Sequence, residues 1–172
     1  VMHRFMVLIS LFIPILCYAA ETLNLYVWAS QFSPEVLHQF EVETGIKINL
    51  SSYDSNEVMV TKLASNRNVG YDIISPSTYV IEKLKSNQLL LPLDHSKIPN
   101  WRYLDPQFLD QAYDRNNTYS MPLQWGGTGI FINTQYHDAN QVTTWASLWK
   151  SQYRNQVLLL NDMREVFAIG LI

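Results

Sequence analysis

The sequence predicts an α/β fold built on a parallel sheet. Two observations carry that prediction. Between residues 22 and 86 the chain alternates strand, helix, strand, helix, strand, helix, the pattern that places helices on the faces of a parallel sheet. The boundaries of those segments also carry cap and stop residues where helices need them. Composition agrees: 48% hydrophobic and 16% charged residues over 172 positions support a sizeable core and argue against disorder.

Taken in order, Thr22–Trp28 alternates and is rich in strand formers, so a first strand is expected. Ser33-Pro34-Glu35 opens a helix, with Ser33 as N-cap and Pro34 at its first position. Val36, Leu37 and Phe40 form its apolar face, and Gly45 ends it. Ile46–Leu50 is a second strand. Asp54-Ser55-Asn56-Glu57 has cap chemistry and leads into a helix through Met59, Leu63 and Ala64. Tyr71–Ile74 is a third strand, Thr78–Ser86 a helix, and Leu89–Leu93 a short extended segment. Ligands of open parallel sheets sit at the carboxyl ends of the strands. That rule singles out Trp28-Ala29-Ser30 and Ser75-Pro76-Ser77-Thr78-Tyr79.

After Asn100 the texture shifts to Tyr, Trp, Asn, Asp and Gln. Asp114–Asn117 reads as a turn. Ser120–Trp125 and Gly129–Asn133 read as extended, with Gly126-Gly127 as a hinge or a crossover to a second lobe. Thr143 or Thr144 caps a helix whose Trp145 and Trp149, four apart, point to one face and into the core. Gln156–Leu160 is a buried strand, and Asp162 starts a helix through Phe167 and Ile169. Ile169, Leu171 and Ile172 meet no stop signal, so a chain cut in mid-domain is the expectation.

The start reads as a secretory signal. Arg4 is the only charged residue among the first twenty, Phe5–Leu16 is nearly all apolar, and Cys17-Tyr18-Ala19 suits cleavage after Ala19. A lipoprotein anchor at Cys17 is the other reading, and Leu16 before it speaks against that. Val1 before Met2 fits an alternative start codon read literally. Cleavage removes the one cysteine, so no disulfide is expected. Losing Arg4 leaves 11 basic against 15 acidic residues, a net charge of −4 with His neutral. That is unfavourable for nucleic acid and compatible with a cationic ligand.

No enzyme signature is present in the sequence. His38, His95 and His137 lack metal-ligand spacing, and Gly126-Gly127-Thr128-Gly129 lacks the lysine of a phosphate cradle. Trp28, at a strand end before Ala-Ser-Gln, suits a ligand wall or the core equally well. Asp162 and Glu165, three apart at a helix start, have the pattern of a capping box. They are also two carboxylates able to grip an ammonium group through charge-assisted hydrogen bonds.

Six segments in order resemble one family: Trp28 after a first strand, Thr44–Lys47, Tyr53–Glu57, Pro76–Tyr79, Trp125-Gly126 and Asp162–Phe167. Together they resemble the periplasmic spermidine/putrescine-binding proteins, receptors of ABC importers. The resemblance implies a two-lobed type II periplasmic-binding-protein fold, truncated here: a signal peptide at 1–19, a nearly complete first lobe at 20–127 and a partial second lobe at 128–172. It implies a mature protein roughly twice this length, a monomer that docks on membrane permease subunits, with no cofactor, no metal and no catalytic step. Trp28 would wall the methylene chain of the polyamine. Ser30, Ser77, Thr78 and Tyr79 would give polar contacts from the first lobe, and Asp162 and Glu165 would bind an amine from the second. The family places polar, acidic and tyrosine side chains where this chain has Ala29, Ser30 and Gln31. The expected function is polyamine reception. The alternatives are a receptor for another small cationic solute and a truncated, non-functional remnant.

Overall fold

The computed structural model describes residues 21–66 and 70–171. The signal peptide expected at 1–19, including Cys17, lies outside the described residues.

A parallel sheet of three strands forms in the order β2-β1-β3. β1 (Thr22–Trp28) is central and pairs along its whole length with β2 (Lys47–Tyr53), from Thr22 opposite Lys47 to Trp28 opposite Tyr53. On its other edge β3 (Ile73–Ile74) sets Ile73 against Leu25 and Ile74 against Tyr26. Flanking bonds lengthen this short ladder: Asp72 N–H donates to the Asn24 carbonyl (2.9 Å) and Ser75 N–H to that of Tyr26 (3.2 Å). At the amino end, Asn49 Nδ2 donates to Asn24 Oδ1 (2.9 Å) and Asn24 Nδ2 to Asp72 (3.0 Å), tying all three strands.

The first two helices begin and end as the residues dictate. Ser33 Oγ accepts from Val36 N–H at the start of α1 (Pro34–Thr44), and Gly45 closes it at φ +73°. That left-handed turn is natural for glycine, which has no Cβ to clash. Ser55 Oγ accepts from Val58 N–H at the start of α2 (Asn56–Ser65). Beyond β3 a single 3₁₀ turn, Thr78–Val80, leads into α3 (Ile81–Ser86).

Side chains alternate across β1. Tyr26 joins Tyr53, Met59, Val60, Leu63, Val80 and Leu84 in the main core cluster under α2 and α3. Leu25 and Val27 are also buried, on the opposite face. Right-handed crossovers to β2 and then back past β1 to β3 put α1 and α2 on opposite faces. The α1 side is thinly covered: no residue of α1 is buried, and Val36, expected in its apolar face, is exposed.

From Leu93 onward no strand forms among the described residues. Residues 94–120 are held instead by 3₁₀ turns and by Asp114, 1% exposed. Its Oδ2 accepts from the N–H groups of Tyr119 (2.9 Å) and Ser120 (2.8 Å) and from Ser120 Oγ (2.8 Å). Its Oδ1 lies 3.6 Å from Lys85 Nζ of α3, and that ammonium also donates to the Tyr113 carbonyl (2.8 Å). Lys85 thus fastens this loop to α3, and the Leu93 N–H donates to the Thr118 carbonyl (2.7 Å) beside it.

Two expectations are corrected. Residues 156–160 are not a buried strand: the segment is irregular and Leu158 is 96% exposed. An apolar run becomes a strand only where a neighbour meets its backbone groups, and no described segment does. The tryptophan helix is a 3₁₀ helix, Trp145–Trp149. At three residues per turn, positions four apart diverge by one residue's rotation. Trp145 is accordingly half-buried while Trp149 is 61% exposed, so the two do not share a core face. The last expected helix forms as α4 (Met163–Leu171).

Candidate functional site

The carboxyl ends of β1 and β3 are tied together where the chain direction switches. β1 ends at Trp28, whose ring packs at 4.9 Å on Tyr53. Ser30 follows with φ +60°, turning the chain so that Gln31 reaches back. Gln31 Oε1 accepts from Trp28 N–H (3.3 Å), and its Nε2 donates to Ser75 Oγ (2.8 Å) just past β3. The Tyr53 hydroxyl donates to the Ser75 carbonyl.

Asn56, the first residue of α2, is fully buried and centres a polar network. Its Nδ2 donates to Tyr79 Oη (2.7 Å) and Ser77 Oγ (3.0 Å), and its Oδ1 accepts from Ser77 N–H (3.2 Å). The Tyr79 hydroxyl passes the chain on, donating to Asp162 Oδ2 (2.6 Å), which Asn56 Nδ2 also approaches at 3.3 Å. Asp162 Oδ1 accepts from the N–H groups of Arg164 (3.0 Å) and Glu165 (3.2 Å). The N-cap of α4 is thus clasped to the first sheet region by Tyr79 and Asn56. The Arg164 guanidinium lies 5.1 Å over the Tyr79 ring, a cation–π contact closing the same seam.

The capping-box reading holds by half. Asp162 caps the helix, while Glu165 turns away and accepts from Thr128 Oγ1 (3.3 Å). Burial pushes the Asp162 carboxyl up, but its bonds from Tyr79, the two backbone N–H groups and Asn56 outweigh that and hold it below the ordinary range. Tyr79 is pushed well up, by burial first and then by its bond to Asp162.

Beside this clasp lies a cavity of about 240 Å³. Trp28, Asp54 and Ser77 line it from the sheet region, and Thr128, Asp162 and Glu165 from the other side, with Leu160 and Asn161 behind. The structure therefore brings together four of the seven residues singled out from sequence: Trp28, Ser77, Asp162 and Glu165. Tyr79 stands behind the wall and holds Asp162 in place. Ser30 and Thr78 are exposed and outside the lining. Sequence reasoning missed Asn56 as the hub and Asp54 and Thr128 as lining. In the sequence Asp54 and Asn56 have the chemistry of a helix cap, and both stand in a segment carrying the family resemblance.

The sequence profile described as bacterial extracellular solute-binding protein matches residues 35–172. The spermidine/putrescine-binding periplasmic protein of Escherichia coli K12 is 43% identical over 151 residues, covering 88% of this chain and 43% of its own length. That of Salmonella typhimurium is 42% identical over the same span and the same shares. Among solved structures, a Listeria monocytogenes chain assigned to a spermidine/putrescine ABC transporter superposes with a TM-score of 0.82 at 43% identity, over 88% of this chain and 47% of that one. The spermidine/putrescine ABC transporter substrate-binding protein of Streptococcus pneumoniae gives 0.67 at 40% identity, over 88% and 46%. The chain spans less than half the length of these relatives. With a parallel sheet, a cavity at the strands' carboxyl ends and a family match over residues 35–172, the chain belongs to the bacterial extracellular solute-binding proteins.

Proposed function

We propose that the protein is a periplasmic receptor for spermidine or putrescine that delivers its ligand to the permease subunits of an ABC importer. One observation carries this reading: the cavity at the sheet's carboxyl edge has an indole on one side, the α4 carboxylates on the other, and no basic residue in its lining. A polyamine is its complement. Carboxylates meet ammonium ends through charge-assisted bonds, and the indole face meets methylenes or a cation, the latter for about 0.5–2 kcal/mol. In the same reading residues 1–19 direct export, 20–127 form the first lobe, and 128–172 begin the second. It is a binding function with no bond made or broken, in a monomer.

Calorimetric titration of the full chain with spermidine and putrescine tests it. Saturable binding is expected, and no heat with any polyamine would overturn it. Asp162→Asn sharpens the test, because asparagine caps a helix about as well as aspartate. A loss of affinity of about tenfold (~1.4 kcal/mol), measured at a temperature where the variant is fully folded, assigns the effect to the charge. Unchanged affinity would reduce Asp162 to a cap.

A further inference from the structure

We propose that Asp54 is a ligand carboxylate of this site, receiving one ammonium end of the polyamine from the sheet side while Glu165 receives the other. The inference rests on the polyamine reading above and adds a residue and a binding polarity to it.

The three acids that line the cavity differ in how much of each is committed. Both oxygens of Asp162 are engaged, Oδ2 by Tyr79 and Asn56 and Oδ1 by two backbone N–H groups. A carboxylate has about four lone-pair sites, so Asp162 supplies charge to the cavity but little free hydrogen-bonding capacity. Glu165 accepts a single bond, from Thr128 at 3.3 Å, and keeps most of its capacity. Asp54 is exposed, lines the cavity, and has no hydrogen-bond or ion-pair partner among the described residues.

Capping does not account for Asp54. The N-cap of α2 is Ser55, whose Oγ bonds Val58 N–H. Asp54 stands one residue earlier and makes no cap bond. Among the described residues no other acid lines the sheet side of the cavity. Ser30 is uncharged and outside the lining, and Trp28 and Ser77 carry no charge. Among the described residues, the carboxylate that a dication spanning the cavity from Glu165 meets on the sheet side is Asp54. The indole of Trp28 lies on that same wall, where it covers the methylenes between the two ends.

The test is titration calorimetry on the full chain with putrescine and with N-acetylputrescine, which keeps one ammonium. Asp54→Asn is expected to weaken putrescine by about tenfold or more. It should change N-acetylputrescine by no more than about twofold, since a single ammonium can go to Glu165. Glu43→Gln removes a charge at the far end of α1 and is expected to leave both affinities unchanged. An unchanged putrescine affinity in Asp54→Asn overturns the inference while the polyamine reading stands. Equal losses for both ligands overturn it too, because they report a general effect rather than a contact with one end. Absence of binding in the unsubstituted protein overturns both. Melting of Asp54→Asn at the unsubstituted temperature confirms that affinity, not folding, is being read.

Discussion

Residues 21–93 and residues 94–161 are organised by different physics. The first region is held by backbone ladders and one apolar cluster: β1 pairs on both edges, and Met59 and Leu84 are fully buried beneath it. The second has no ladder among the described residues and is held by turns, side-chain bonds to backbone and ion pairs, of which that between Lys85 and Asp114 has the buried carboxylate. Its apolar residues are largely outside: Phe131 is 99% exposed and Leu158 96%. Regular structure here follows from whether a segment finds a neighbour, not from its own apolar content.

A pair of identical substitutions exposes that difference most strongly. Leu84→Ala removes a side chain with no exposed surface and should cost about 2–5 kcal/mol through lost burial and the cavity left behind. Leu158→Ala should stay within about 0.5 kcal/mol, as exposed positions do. Urea unfolding measures both, read as a midpoint shift at constant slope. A comparable loss at Leu158 would show that residues 156–160 pack as a strand in solution, and the contrast would fail.

Asp114 comes next. Asp114→Asn keeps the shape but removes the charge that Lys85 and two N–H groups address. Hydrogen bonds to charged groups contribute about 1.5–3 kcal/mol, and Lys85 is partly exposed, so a loss of about 2 kcal/mol is expected in the same measurement. Hydrogen exchange should rise at Tyr119 and Ser120 and not along β1. Exchange rising equally along β1 would mean that the loop and the sheet open as one unit.

The same contrast explains what could be read from the sequence. β1, both serine N-caps, Pro34 and Gly45 are local devices, each decided within a few residues, and all stand where the residues put them. The run Val157–Leu160 carries a strand's composition but no partner, and composition cannot supply one. Trp145 and Trp149 show the same limit, because a change from 3.6 to 3.0 residues per turn moves a side chain to another face. At the site, Trp28 and Ser77 were legible from the rule about strand ends, and Asp162 and Glu165 from paired carboxylates. Asn56 was not, because its role depends on Tyr79 and Asp162, 23 and 106 residues away in the chain. Asp54 was hidden by its neighbour, since Asp-Ser-Asn before a helix reads as a cap whichever residue does the capping.

The smallest effect concerns the seam between the sheet region and α4. Tyr79→Phe removes the hydroxyl that donates to Asp162 and should cost about 1 kcal/mol at neutral pH. Its signature is in the pH dependence. The Asp162 carboxyl is held below its ordinary value in the folded protein, so its ionised form stabilises the fold. That contribution is complete above the unfolded aspartate value of about 3.9 and is lost as pH falls through the folded value. Without the Tyr79 donor the folded value rises toward the unfolded one, and less stability remains to be lost. The stability gap between unsubstituted protein and Tyr79→Phe should therefore be constant above about pH 5 and narrow below about pH 4. Denaturant unfolding at pH 7 and pH 3 measures it. A gap of equal size at both would mean that the hydroxyl acts through Asn56 alone, and that the charge of Asp162 is not what the clasp secures.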